Sequence, residues 1–263
     1  MSRFRHFCID CLLFNKDPRM KFIVINRQDA RGQYTIFRQS NEHLPNIERF
    51  EAIIYKEEDR QGLINNGLIH ENFHCTPLNL SQILSHTLLW SSAISQQASL
   101  LIMEDNALLC QNFPEQCQKI LETLNDDWDI VLFGYNFESP CLINALPGVS
   151  PCGLSFNHQK MRDAAFTWRN RSVETNAYPL LHAQGIYCYA ISPRGAKRLL
   201  EACLPLRPFS HTDQAFSLDG LMSILYPHIQ AFSAFPPIAI TGNANSTEAY
   251  FKEMMEEKPS VSI

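Results

Sequence analysis

No run of about 18 consecutive apolar residues occurs in the 263-residue chain, so none of it is built to cross a bilayer as a helix. Positive charge is not in excess either. The 22 Lys and Arg are outnumbered by 27 Asp and Glu, for a net charge of -5 and a pI near 6.0. A nucleic-acid binder needs a basic stripe to meet the phosphates, and that class is set aside. Internal repeats and low-complexity tracts are absent. The start of the chain (Arg3, Arg5, then Phe7 to Phe14) resembles a secretion signal only superficially. Its apolar stretch is short, is broken by Asp10 and lacks a small-residue cleavage site, so a cytoplasmic protein is expected. Cys8 and Cys11 have C-x-x-C spacing, but no second such pair completes a zinc site. The nine cysteines are therefore expected to be reduced thiols, several of them in the core. His70, His74 and Cys75 fall in an Asn/Gly-rich segment that reads as a surface loop.

What the chain has is a series of short apolar runs, each ending in polar residues. With 45% hydrophobic residues it can bury a full α/β core. Lys21 to Asn26, Phe50 to Tyr55, Leu100 to Met103, Asp129 to Phe133, Gly185 to Ile191 and Ile229 to Phe235 read as strands. Gly32 to His43 is polar and partly helical. Leu80, Ile83, Leu84, Thr87, Leu88 and Ile94 recur at helical spacing, with Ser81 as a candidate N-cap. His86 and Trp90, four apart, share one face of that helix. Further helices are expected over Pro114 to Leu124, from Ser192 through Ala202, and from Asp213 or Leu218 to Leu225. Strands alternating with helices indicate a parallel, doubly wound sheet. Residues 56–79 read as an irregular surface excursion. Residues 138–180, rich in Pro, Gly, Asn and Arg without a sustained period, read as a functional loop or flap.

The most informative stretch is Ser99 to Leu109, in which Leu100 to Met103 runs straight into Glu104, Asp105 and Asn106. Ligands of open α/β sheets bind at such strand ends, and three oxygen-bearing side chains suit a hard divalent cation and, through it, a diphosphate. The plainer reading is a strand entering a turn capped by Asp105 or Asn106.

Several segments, in order, resemble glycosyltransferase family 25, the galactosyl- and glucosyltransferases of lipooligosaccharide assembly and their collagen-modifying relatives. Phe22 to Asn26 is similar to the family's opening strand, and Phe50-Glu51-Ala52 to its F-x-A strand. Ser85 to Trp90 resembles the S-H-x-x-x-W helix, and Leu101 to Asn106 the strand that ends in Glu-Asp-Asp. Asp127 to Gly134 resembles W-D-I-x-x-L-G. Gly185 to Leu200 is similar to Y-x-I-S-x-x-G-A-x-x-L-L, and Asp219 with Phe235-Pro236-Pro237 to the closing segments. The resemblance spans about residues 21–242.

It implies a single GT-A type, Rossmann-like α/β domain with a mixed, mostly parallel sheet flanked by helices. The domain is expected over residues 21–247, after an N-terminal appendage (1–20) and before an acidic tail (248–263). The implied activity is inverting transfer of galactose or glucose from a UDP-sugar to a saccharide, such as a lipopolysaccharide glycan. Mn²⁺ or Mg²⁺ would be weakly bound, with Glu104, Asp105 and Asn106 as ligands. Asp219 is the implied base, with Asp213, preceded by His211, as the alternative. Asn26, Arg27, Arg31, His86, Glu104, Asp105 and Asn136 are the donor-binding candidates. A glycolipid acceptor would also allow peripheral association with the inner face of a membrane. Two departures stand out. Asn106 replaces a carboxylate, so it offers the cation an oxygen without charge. Arg27 and Arg31 lie closer to Asn26 than the family's arginine does. A relative of weakened activity that only binds a glycan or a protein is the competing reading, and a sugar-nucleotide hydrolase is a third.

Overall fold

A computed structural model describes residues 20–44, 46–146, 148–208 and 217–241. The first element among the described residues is β1 (Lys21–Asn26), whose Val24 is wholly enclosed. It continues through α1 (Arg31–Ser40) to β2 (Ile47–Glu51), which is shorter and earlier than the Phe50 to Tyr55 run suggested. The reason lies in the next helices, α2 (Arg60–Asn65) and α3 (Pro77–Gln96). Two serines of α3 take over the backbone that a longer strand would have paired. Ile53 N donates to Ser85 Oγ and Tyr55 N to Ser81 Oγ, each at 2.9 Å. Ser81 is thus not the cap. Thr76 is, accepting from Asn79 N at 3.2 Å, with Pro77 in the first turn where its missing N–H costs nothing.

Leu100–Glu104, fully buried through Met103, forms β3, followed by β4 (Ala107–Leu109), α4 (Phe113–Leu124) and β5 (Ile130–Gly134). Residues 138–180 are not a loop. They form β6 (Cys141–Leu146), β7 (Ser150–Leu154), α5 (His158–Trp168) and β8 (Asn176–His182). β6 and β7 pair as an edge hairpin with a register shift, a place where Pro and Gly are tolerated and no clean period is written. The remaining elements are β9 (Cys188–Ile191), α6 (Pro193–Cys203), α7 (Leu218–Leu225), β10 (Ala231–Phe235) and β11 (Ala239–Thr241).

The large sheet has the order β2-β1-β3-β9-β5-β10-β8-β6-β7, and β4 pairs with β11 in a separate ribbon. It is mixed, as expected, with six of its nine strands (β2, β1, β3, β5, β10 and β6) running in one direction. β9 nonetheless runs antiparallel to both β3 and β5, and β8 antiparallel to β10. The path from β1 through α1 to β2 leads outward, and the return through α3 to β3 leads back past β1. Right-handed crossovers then place α1 and α3 on opposite faces of the sheet. The carboxyl ends of β1 and β3 therefore flank a topological switch point. One continuous apolar core joins the layers.

The far end of β5 is closed by a buried charge. Asp129 is 0% exposed and receives Arg194 Nε at 2.7 Å, Arg198 Nη1, and Gln230 N at 2.8 Å. Gly195 lets α6 start against this point, because a Cβ there would lie 2.0 Å from Asp129 O. The seven described cysteines are all free, five of them buried. His70 and His74 are exposed on the connection that contributes Ile69 and Phe73 to the core. Among the described residues no helix is long and apolar enough to cross a membrane.

Candidate active site

The switch point collects the ends of β1, β3 and β5 with the start of α7. At the end of β1, the buried Asn26 side chain works in two directions. Its Nδ2 donates to Asp105 Oδ2 at 2.7 Å and to Ala30 O at 2.9 Å, while its Oδ1 accepts from Arg49 Nε at 2.8 Å. Gln33 Nε2 donates to Asp105 O at 3.2 Å. Burial raises the Asp105 carboxyl, against the Asn26 hydrogen bond and the charges of Arg27 and Arg49.

β3 stops at Glu104, and Asp105 and Asn106 form the turn into β4, so strand alternation does not extend through all three. Glu104 turns away from Asn26. Its Oε1 accepts from Gln82 Nε2 at 2.7 Å and lies 4.0 Å from His86 Nε2. Burial, with the charges of Asp105 and Asp219 beside it, lifts this carboxyl to about 7. Asn106 Oδ1 is buried with no hydrogen-bond partner.

His86 is 1% exposed, and its Nδ1 is 2.7 Å from Tyr189 OH. That hydroxyl also accepts from Trp90 Nε1 at 2.9 Å. An indole N–H can only donate, so the phenol's own proton is free for Nδ1, and this accounting assigns the imidazole proton to Nε2. Desolvation drops the histidine to about 3, so it is neutral at ordinary pH. Its Nε2 is a buried donor with no hydrogen-bond partner. Gln82, His86 and Trp90 form a single i, i+4, i+8 row on α3.

Asp219 lies in the first turn of α7, where a helix N-terminus favours negative charge. Its Oδ2 accepts from Gly185 N at 2.8 Å, and its charge is felt at His86, Glu104, Tyr187 and Tyr226. Gly185 has φ +82, and a Cβ there would meet Asn136 N at 2.6 Å. Glycine thus allows the 182–185 segment to close onto the end of β5, where Asn136 N donates to Gln184 O at 2.6 Å.

The sequence candidates therefore sort clearly. Asn26, Glu104, Asp105, Asn106, His86, Asn136 and Asp219 stand at this end of the sheet. Arg27 is exposed and engages Asp29 at 2.6 Å, though its charge reaches Asp105. Arg31 is exposed at the start of α1. Asp213 and His211 lie outside the described residues, as do Cys8, Cys11 and both terminal segments. Gln82, Arg49, Gly185 and Tyr189 were not anticipated. Gln82 could have been found as the third member of the His86–Trp90 row, whereas Arg49, Gly185 and Tyr189 carry no local signal.

Among the described residues no three His, Cys, Asp or Glu side chains converge on a point that could hold a metal ion. What the site offers instead is two diverging carboxylates and the unpartnered amide oxygen of Asn106. This set suits a cation that takes one or two protein carboxylates and completes its shell with substrate phosphates and water.

The sequence model of glycosyltransferase family 25 (LPS biosynthesis protein) matches residues 20–216. No curated protein sequence matches the chain. Among solved structures it is similar to a glycosyltransferase involved in the glycosylation of the major capsid of PBCV-1. There the TM-score is 0.44 at 8% identity, over 91% of this chain and all of that one. It is also similar to mannose-1-phosphate geranyltransferase from Thermus thermophilus, with TM-score 0.41 and 13% identity over 89% of this chain and 79% of that one. For the inositol-1-phosphate CTP transferase from T. maritima the values are 0.38 and 12%, over 93% and 98%.

Proposed function

The chain belongs to glycosyltransferase family 25, and from that premise we propose that it transfers galactose or glucose from a UDP-sugar to a hydroxyl of a saccharide acceptor, with inversion. A lipopolysaccharide or lipooligosaccharide glycan is the acceptor class that the family description favours. The observation carrying this reading is the Asp219 carboxylate, tethered through one oxygen to Gly185 N and placed beside Glu104 and His86.

In this reading Asp219 takes the proton of the acceptor hydroxyl. The acceptor oxygen bonds to the anomeric carbon as the bond from that carbon to the diphosphate breaks, and UDP leaves with the electron pair. The neutral His86 donates Nε2–H to an oxygen of the donor. Asn26 holds Asp105 in place and relays the Arg49 charge toward it. Asp105 and Asn106 would hold Mn²⁺ or Mg²⁺, with Glu104 as a further oxygen once ionised. Such an ion, when bound, neutralises charge on the departing diphosphate. We place the reaction in the cytoplasm, at the membrane face when the acceptor is a glycolipid.

The test is UDP release from UDP-galactose and UDP-glucose, with a deacylated lipooligosaccharide core as acceptor and with or without Mn²⁺. Transfer to the core that is abolished in Asp219→Asn is the expected result. Free hexose instead of transfer would make the protein a hydrolase. Asn106 and the protonated tendency of Glu104 favour one further reading, a binding protein of weakened activity. Calorimetry that finds the core bound and UDP not bound would select it.

A further inference from the structure

The helix that carries Asp219 is tied to the 182–185 segment twice. Besides the bond from Gly185 N to Asp219 Oδ2, Ser223 Oγ lies 2.7 Å from His182 Nδ1. Ser223 is buried and follows Asp219 by four residues, so the two side chains leave the same face of α7 about 6 Å apart along its axis. His182 is the last residue of β8, in register with Leu142 of β6, and is therefore anchored in the sheet. Between His182 and Gly185, Gln184 accepts from Asn136 N at 2.6 Å and from Ser139 Oγ at 2.8 Å. The segment is thus pinned to the end of β5, and α7 is pinned to the segment at two points.

Leu218 and Met222 seat α7 in the core, and the two bonds, one turn apart, fix the face that carries Asp219 against the segment. With both made, the turn of α7 that carries Asp219 is fixed, and one oxygen of its carboxylate is held at Gly185 N. We infer that Ser223 and His182 are positioning residues, which aim the Asp219 carboxylate at the acceptor hydroxyl without touching the substrate. The inference rests on the reading of Asp219 as the base. Misplacing a reacting group by about 1 Å can cost up to 10²-fold in rate, so the pair acts on turnover rather than on donor binding.

The experiment compares wild type with Ser223→Ala, Ser223→Thr, His182→Ala, His182→Asn and Asp219→Asn, all as the full chain. Turnover of UDP-galactose and UDP-glucose onto the deacylated core is read together with the Gly185 amide resonance under selective ¹⁵N-glycine labelling. Expected are a kcat lower by about tenfold or more in the two alanine variants with an unchanged donor KM, and an upfield Gly185 amide proton approaching that of Asp219→Asn. Ser223→Thr and His182→Asn, which keep a hydrogen-bonding atom at each position, recover most of both signals. A purely structural role would lower the melting temperature and the active fraction without that split or that rescue. Wild-type kcat and Gly185 shift in both alanine variants, beside an inactive Asp219→Asn, would overturn the positioning role alone. Full activity in Asp219→Asn would instead remove the base assignment on which it rests.

Discussion

Asn26 Nδ2 donates to Asp105 Oδ2 at 2.7 Å, joining the ends of two parallel strands separated by 79 positions in the chain. Because Asn26 Oδ1 is meanwhile occupied by Arg49, the amide is oriented and cannot flip without losing both bonds. Asn26→Ala removes the donor that opposes the burial of Asp105, so its carboxyl rises further. Ionised Asp105 is then lost at a higher pH as acid is added. The acidic limb of the pH profile for Mn²⁺-dependent UDP binding should move to higher pH in the variant, measured by calorimetry from pH 5 to 8. An unmoved limb would separate Asp105 from the nucleotide.

His86 predicts a loss that does not depend on pH. A single hydrogen bond to a charged ligand is worth about 1.5–3 kcal/mol, so His86→Ala should weaken UDP binding by about tenfold or more. Because burial keeps the imidazole neutral down to about pH 3, the ratio of wild-type to variant affinity stays flat between pH 5 and 8. A ratio that grows as pH falls would mean a charged histidine and sink the neutral-donor assignment.

Glu104 makes the free protein less stable as pH rises. Its carboxyl, at 4.5 ordinarily, is held at about 7 in the folded state. Between those values the folded chain keeps a proton that the unfolded chain has released, so stability declines across the window, by up to about 3 kcal/mol in full. His86 works in the opposite sense, with stability rising as pH climbs from about 3 to 6.5, and is common to both proteins compared. Glu104→Gln keeps the acceptor for Gln82 and never ionises. It should raise the melting temperature at pH 8 and leave it unchanged near pH 4.5; equal shifts at both would contradict the perturbed carboxyl.

Asn106→Asp restores a charge beside Asp105. If the turn ligates a cation, Mn²⁺ affinity should rise by about tenfold, read by metal titration of the full chain with UDP present. Unchanged affinity would remove Asn106 from the ligand set.

Asp129 separates stability from function. Asp129→Asn leaves Arg194 and Arg198 without their shared carboxylate at the end of β5 remote from the site. Both arginines are partly exposed and can be rehydrated, so the low end of the cost for breaking a buried pair applies, about 3 kcal/mol. The denaturation midpoint should fall while UDP affinity stays as in wild type.

Much of the scaffold was legible in the chain because both-face burial writes continuous apolar runs, as in β3 and β5. The site's strand-end carboxylates were legible for the same reason, since they interrupt such runs abruptly. What could not be read was set by partners distant in sequence. The shift of β2 depends on Ser81 and Ser85, whose hydroxyls reach backbone some thirty positions earlier. The direction of β9 leaves no trace, because a buried strand has the same composition either way up. The β6–β7 hairpin hid behind Pro and Gly that an edge tolerates. Tyr189 looked like one more apolar strand residue until His86 and Trp90 were found on its hydroxyl.

The reversed β9, seated between β3 and β5, imposes an order on biosynthesis. Until residues 188–191 have left the ribosome, the nascent polypeptide has two neighbouring core segments separated by an unfilled slot, each presenting unsatisfied peptide groups to any passing edge. Completion of the central layer must wait until β9, which follows both β3 and β5 in the chain, has emerged, which favours slow, late closure and makes truncation before that point prone to aggregation.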